Sequence, residues 1–301
     1  MTSSDSYQQT ANPDWISATQ IVMLGTGTPR PDPDRSGPAT VIVVNGTPYL
    51  IDFGPGVIRR AVAAYNKGVL AIGPAAVNLR TAFLTHLHAD HTAGYPDLIL
   101  TPWILGRKDS INVYGPKGLD DMTHHVLNAW KVDIDSRLNG IDRLPASGCA
   151  INAHEIDPGA FYTDRNIRVS AFRVRHAGLE NAFGFRVETP HKTIVFSGDT
   201  APTQSLLENC HDCDVLIHEA YSQATYDKVA QNWQAYRRES HTSSSELAEL
   251  ATRVRPGLLI LTHRVNIGAP MALPDPEDVL LEEVRRLYKG NVVTAHDLDI
   301  F

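Results

Sequence analysis

The segment Thr85-His86-Leu87-His88-Ala89-Asp90-His91 decides the reading of this chain. It places three His and one Asp within six residues, directly after the apolar run at 81–85. The cluster therefore stands in the loop where a strand ends, and polar groups gathered at such a place need partners. His86 and His88 are two apart and can turn toward one ion, while Asp90 and His91 can face a neighbouring one. Imidazole with carboxylate is a donor set suited to Zn²⁺, with Mn and Fe also compatible. A solvated His-rich loop is the competing reading.

The 301-residue chain is 43% hydrophobic and 20% charged, the composition of a globular protein with a sizeable core. No apolar run approaches the roughly 20 residues that span a bilayer, so no membrane partner is expected. The first 17 residues are polar, without a basic-then-apolar secretion signal. The expectation is a cytoplasmic protein, the alternative an exported one whose signal has been removed. A net charge of −7 argues against a broad nucleic-acid surface, because phosphate binding draws on Lys and Arg. Cys149, Cys210 and Cys213 imply no disulfide framework, and the lone C-x-x-C at 210–213 reads as structural thiols beside a helix end.

Residues 1–19 read as a flexible N-terminal segment and 20–301 as one domain, with a lid or channel insertion around 95–148. β-branched runs predict strands over 20–24, 40–44, 48–52, 81–85, 111–114, 168–173, 182–188, 193–197, 215–218, 258–262 and 292–295. Helices are predicted over 57–66, 95–105, 119–132, 203–209, 243–254 and 275–288, the last opened by Pro276 and closed by Arg285, Arg286 and Lys289. Hairpin-like groups of strands followed by alternation with helices point to two packed sheets covered by helices. Gly25-Thr26-Gly27 lacks the third glycine of a dinucleotide loop and runs into Pro29 and Pro31, so it reads as a tight turn.

Further motifs follow in chain order. His176 comes after a strand in Val174-Arg175-His176-Ala177, Asp199 after the buried run Ile194-Val195-Phe196-Ser197-Gly198, and His263 ends Leu259-Ile260-Leu261-Thr262. With the segment at 85–91, this series resembles the metallo-β-lactamase superfamily and its H-x-H-x-D-H signature, over nearly the whole chain from about residue 20. The resemblance implies an αββα four-layer sandwich with two divalent metal ions at one edge between the sheets. His86, His88 and His176 would hold one ion, Asp90, His91 and His263 the other, and Asp199 would bridge them. A carboxylate can span two ions with its two oxygens, and a hydroxide shared by the ions would be the nucleophile.

Leu24-Gly25-Thr26-Gly27-Thr28-Pro29, Leu50-Ile51-Asp52-Phe53-Gly54-Pro55-Gly56 and Ile111-Asn112-Val113-Tyr114-Gly115-Pro116 resemble the ribonuclease Z-like branch. His218-Glu219-Ala220-Tyr221 is similar to its H-E-A-T segment and His241-Thr242-Ser243-Ser244 to its later H-S-T element. Carried over, Glu219 would hold His241 as general acid and raise its pKa, with Asp90 completing the catalytic set. The alternative is that His241 caps the helix beginning near Ser243. One departure is large: tRNA-processing members carry a long arm between the third-motif His and the bridging Asp, and here only 22 residues separate His176 from Asp199.

The expected activity is therefore hydrolysis of small phosphodiesters or sulfate esters, in the manner of phosphodiesterases and arylsulfatases, with large nucleic acid not expected as a partner. Lactone or β-lactam hydrolysis, ribonuclease Z-type RNA processing and a non-catalytic metal-binding module are the alternatives. The resemblance is compatible with a homodimer. Within 95–148, Trp103, Trp130, Asp133, Asp135, Arg137 and Arg143 read either as a lid that receives an anionic ester or as core tryptophans with solvated charges. His124 and His125 read as helix-surface residues, and His296 has no motif behind it.

Overall fold

The computed structural model describes residues 19–265 and 277–301. Six strands form the first sheet in chain order: β1 (Gln20–Gly25), β2 (Ala39–Val44), β3 (Thr47–Ile51), β4 (Thr81–Phe83), β5 (Ile111–Gly115) and β6 (Ile151–Glu155). The second sheet holds β7 (Gly159–Thr163), β8 (Arg168–Arg173), β9 (Phe183–Glu188), β10 (Thr193–Phe196), β11 (Val215–Ala220), β12 (Leu258–Arg264) and β13 (Val292–Thr294), again as sequential neighbours. Each sheet has an antiparallel part, β1–β3 and β7–β10, continued by parallel strands. Parallel pairs need crossovers, and helices supply them. They are α1 (Val57–Asn66), α2 (Ala89–Thr92), α3 (Tyr95–Ile104), α4 (Leu119–Ala129) and α5 (Lys131–Asn139), then α6 (Gln204–Asn209), α7 (Gln223–Tyr226), α8 (Gln231–Ser240), α9 (Ser244–Val254) and α10 (Glu277–Leu287).

The period-two alternation of the strands sorts the core into layers. Ile21, Met23, Ile42 and Phe83 meet Phe185, Ile194 and Ile217 between the sheets. Val22, Leu24, Val41 and Leu50 pack on α1 and α3. Val195, Leu216 and Leu259 pack on α9 and α10. Sheets covered on both faces explain why β2 and β11 are buried at every position, and the αββα sandwich follows from the three apolar layers.

Four local expectations change. Edge strands β6 and β7 were not predicted, because each is half exposed and carries no apolar run. The helix expected over 119–132 breaks at Trp130 into α4 and α5. The polar sequence QNWQAYRRES of α8 gave no helical signal. Cys210 and Cys213 do sit at the end of α6, but as a disulfide, not as free thiols: the turn brings their Cα atoms to 5.0 Å, within bonding range. Residues 1–18 of the expected flexible segment, and Pro276, lie outside the described residues.

Candidate metal centre

Strand ends aim the site residues. β4 runs through Thr85 into the loop of His86 and His88, and α2 presents Asp90 and His91. β10 ends at Phe196, and two residues on Gly198, with a φ of +60°, turns the chain into Asp199; a Cβ there would stand 2.6 Å from the Phe183 carbonyl oxygen. Asp52 after β3 and His263 in β12 also have left-handed backbones, with φ of +57° and +40°. Such conformations cost about 1–3 kcal/mol each. Fully burying a single Leu or Phe offsets one of them, at about 1.5–3 kcal/mol. The core layers thus hold strained strand ends in place.

The structure brings the seven candidate ligands together. Ligand atoms of His86, His88 and His176 lie within 4.8 Å of one another, as do those of Asp90, His91 and His263, and those of His86, His91 and Asp199. His88 Nδ1 is 3.0 Å from His176 Nε2, and His263 Nε2 is 3.1 Å from Asp90 Oδ2. Asp199 stands between the groups. Its Oδ1 is 3.5 Å from His91 Nε2, and its Oδ2 is 3.5 Å from His263 Nε2 and 4.0 Å from His86 Nε2.

A second layer sets the ring tautomers. Thr85 Oγ1 donates to the Asp52 carboxylate, so it accepts from His86 Nδ1 at 3.0 Å. His91 Nδ1 donates to Asp52 Oδ2 at 2.8 Å, and His176 Nδ1 to the Ser240 carbonyl at 2.9 Å. In each case the outward hydrogen bond turns Nε2 inward. His86 Nε2 and His91 Nε2 are buried there with no hydrogen-bond partner. Buried polar atoms left so cost about 1–3 kcal/mol each, and a cation among them would remove that penalty. The donor set fits two divalent ions. Sequence reading quoted Asp52 within a motif but gave it no role; a carboxylate at the end of β3, beside the end of β4, was the available signal.

The electrostatics differ across the site. Burial, then neighbouring imidazoles, holds His86 well below the ordinary His range, and burial also lowers His88 and His176. Burial opposes charge on His91 as well, yet Asp199, Asp52 and Asp90 outweigh it and keep its pKa well above ordinary. His263 is raised against burial by Asp199 and Asp90. Asp199 lies well below the usual carboxylate range, because His263, His91 and His86 overcome the opposing effect of burial.

Glu219 at the end of β11 accepts from Thr200 N and Thr242 N, at 3.1 and 3.2 Å, and shares a hydrogen bond of 3.2 Å with His241 Nδ1, all through one oxygen. Ligand-type atoms of His241, His176 and Asp199 also lie within 4.8 Å of one another. His241 does not cap α9: Ser243 does, in a capping box with Glu246. The expectation that Glu219 raises His241 is corrected. Burial outweighs the pull of the Asp199 carboxylate and pushes His241 down to about 4, while burial and then Asp199 push Glu219 well above its ordinary value. A neutral carboxyl beside a neutral imidazole holds the same number of protons as a carboxylate–imidazolium pair, so the pair still has a proton to transfer.

A cleft of about 950 Å³ opens beside His88 and Asp90, walled by the loop from Thr28 to Gly37 and by Tyr236. Asp297 gathers both ends of that loop. It accepts from Thr26 N and Thr26 Oγ1 at 2.9 Å each and from Ser36 N at 2.7 Å, and it pairs with Arg60 at 3.1 Å. Trp103 is fully buried and donates to the Pro145 carbonyl, whereas Trp130 is 42% exposed. Arg137 binds Asp133 and Asp142 on α5 and its following turn, and Arg143 is exposed. His124, His125 and His296 are exposed.

The fold and this centre define a metal-dependent hydrolase. The chain belongs to the β-lactamase superfamily: residues 47–264 match the family model described as a beta-lactamase superfamily domain. It is similar to a Mycobacterium bovis protein named ribonuclease Z, 29% identical over 93% of this chain and 96% of that one. The metallo-beta-lactamase fold protein YhfI of Bacillus subtilis shares the fold with a TM-score of 0.71 at 17% identity, over 95% of this chain and 100% of that one. Human tRNase Z, short form, does so with 0.67 at 23% identity, over 94% and 98%.

Proposed function

We propose that the protein hydrolyses phosphodiesters, with small esters as its substrates. The observation that carries the reading is the Glu219–His241 pair within reach of the ligand cluster. An alkoxide leaving group needs a proton, whereas a lactone or β-lactam carbonyl is attacked without a separate acid. His86, His88 and His176 would hold one divalent ion, Asp90, His91 and His263 the other, and Asp199 would contact both. When bound, such ions supply an activated water near neutral pH and neutralise charge on phosphoryl oxygens. His241 faces the cluster with Nδ1 fixed by Glu219, and passes a proton to the leaving oxygen.

The choice of small esters rests on the 22-residue span between His176 and Asp199, filled by the β9–β10 hairpin, and on the net charge of −7. Sulfate esters share the tetrahedral anionic geometry and belong to the same proposal. A second reading, RNA 3′ processing, is favoured by the name of the mycobacterial relative, which matches this chain over 96% of its own length. A panel of bis(4-nitrophenyl) phosphate, an aryl sulfate, a lactone, a β-lactam and a precursor tRNA separates these. The diester should turn over, stop on chelation and recover with Zn²⁺ or Mn²⁺. Efficient lactone or β-lactam hydrolysis with both the diester and the sulfate untouched would overturn the proposal, and precursor tRNA cleaved faster than the diester would replace it with the second reading.

A further inference from the structure

α8 brings to the cleft a group that the ligand set does not use. Tyr236 is half-buried and lines the cleft together with His88 and Asp90. Its ring centroid is 5.5 Å from that of His241 and 6.3 Å from that of His176. Trp233, one turn earlier on the same helix face, meets it edge-on at 5.8 Å and limits its swing.

The helix itself is held in register with the centre. Arg237, next to Tyr236, is fully buried, donates to Thr225 Oγ1 and lies 5.6 Å above the Tyr221 ring. At the end of the helix, the Ser240 carbonyl accepts a hydrogen bond from His176 Nδ1 and the His241 amide donates to the Arg237 carbonyl. Tyr236 is thus fixed relative to the same His residues that the centre uses.

We infer that Tyr236 is a catalytic residue whose hydroxyl donates a hydrogen bond to a non-bridging oxygen of the bound ester. In phosphoryl transfer the charge spreads over the equatorial oxygens, and a preorganised donor in a half-buried site acts on it without reorganisation. The donor is uncharged. It suits a singly charged diester, whose two non-bridging oxygens share one charge, better than a doubly charged monoester, which calls for a cation. A phenol ordinarily titrates at about 10, so the hydroxyl keeps its proton at neutral pH. This inference rests on the phosphodiesterase reading above.

Tyr236→Phe keeps the ring between Trp233 and His241 and removes only the hydroxyl. In the metal-loaded protein, kcat/KM for bis(4-nitrophenyl) phosphate should fall about tenfold or more, with a fall in kcat as part of it. Binding of inorganic phosphate, followed by calorimetry, should weaken about five- to tenfold, with metal content and melting temperature unchanged. Trp233→Leu loosens the ring's support without touching the hydroxyl and should change kcat less than Tyr236→Phe does. The inference is overturned if Tyr236→Phe matches wild type in both kcat and phosphate binding, or if Trp233→Leu reproduces its effect. Wild-type protein that cleaves no diester, yet binds phosphate in a manner weakened by Tyr236→Phe, would sink the phosphodiesterase reading and leave Tyr236 as an oxyanion contact.

Discussion

The two halves of the candidate metal centre are built from different chemistry. His86, His88 and His176 are imidazoles that burial drives toward the neutral form; the outer partner of His86 is the Thr85 hydroxyl, and that of His176 the Ser240 carbonyl. In the other half, Asp90 stands beside His91 and His263, and Asp52 backs His91. Those carboxylates, with Asp199, raise the pKa of both imidazoles against burial. The first half thus favours neutral lone pairs, whereas the second half holds its protons more tightly. The second half offers more negative charge to an ion, yet makes it compete with protons.

Asp199 is the residue common to both halves, so its loss should have the largest effect. Asp199→Ala should reduce diester turnover about 1,000-fold or more, the several kcal/mol that positioned metal charge supplies. Elemental analysis should find less than one ion per chain, and two retained ions would show that the bridge is dispensable. Next in size, His88→Ala should remove the ion of the first half alone, leaving about one ion and about 100-fold less activity. Loss of both ions together would mean that the halves do not act separately.

Acidification tests the asymmetry itself. The pKa values of His91 and His263 are raised above the ordinary 6.5, so proton competition with metal sets in at a higher pH there than in the first half. His86, His88 and His176 lie below 6.5 and stay neutral further down. Between pH 7.5 and 6 the second half should therefore lose its ion first, with affinity falling about tenfold per pH unit for each proton displaced. Cobalt-substituted protein would report this spectroscopically. Simultaneous loss of both ions would contradict it. Asp52→Asn should then cost about 10–100-fold in the affinity of the second half, because it removes the carboxylate that orients His91. Thr85→Val should be mildest, with less than about tenfold lost, since a neutral hydroxyl contributes about 1 kcal/mol.

The clustering of the seven candidate ligands and most strands were legible because both depend on local order: a His-rich strand end and apolar runs buried on both faces. Residues that act through tertiary closeness were not. Asp52 reads as one acidic residue after a strand until β3 is seen beside β4. Tyr236 sits in a helix whose sequence is polar apart from its aromatics. His241 could be found by motif, but the direction of its pKa could not, because burial of the Glu219–His241 pair is a property of the assembled core.

The carboxylate of Asp297 reaches back 271 positions to Thr26, and Phe301 pairs by backbone with Ile21. During synthesis, at about 5–20 residues per second, every candidate metal-ligating side chain leaves the ribosome before the residue that secures the cleft wall. A nascent chain would thus acquire its metal ligands before its substrate cleft. Release between residues 263 and 297 would yield a polypeptide with all seven candidate ligands and an untethered 26–36 loop.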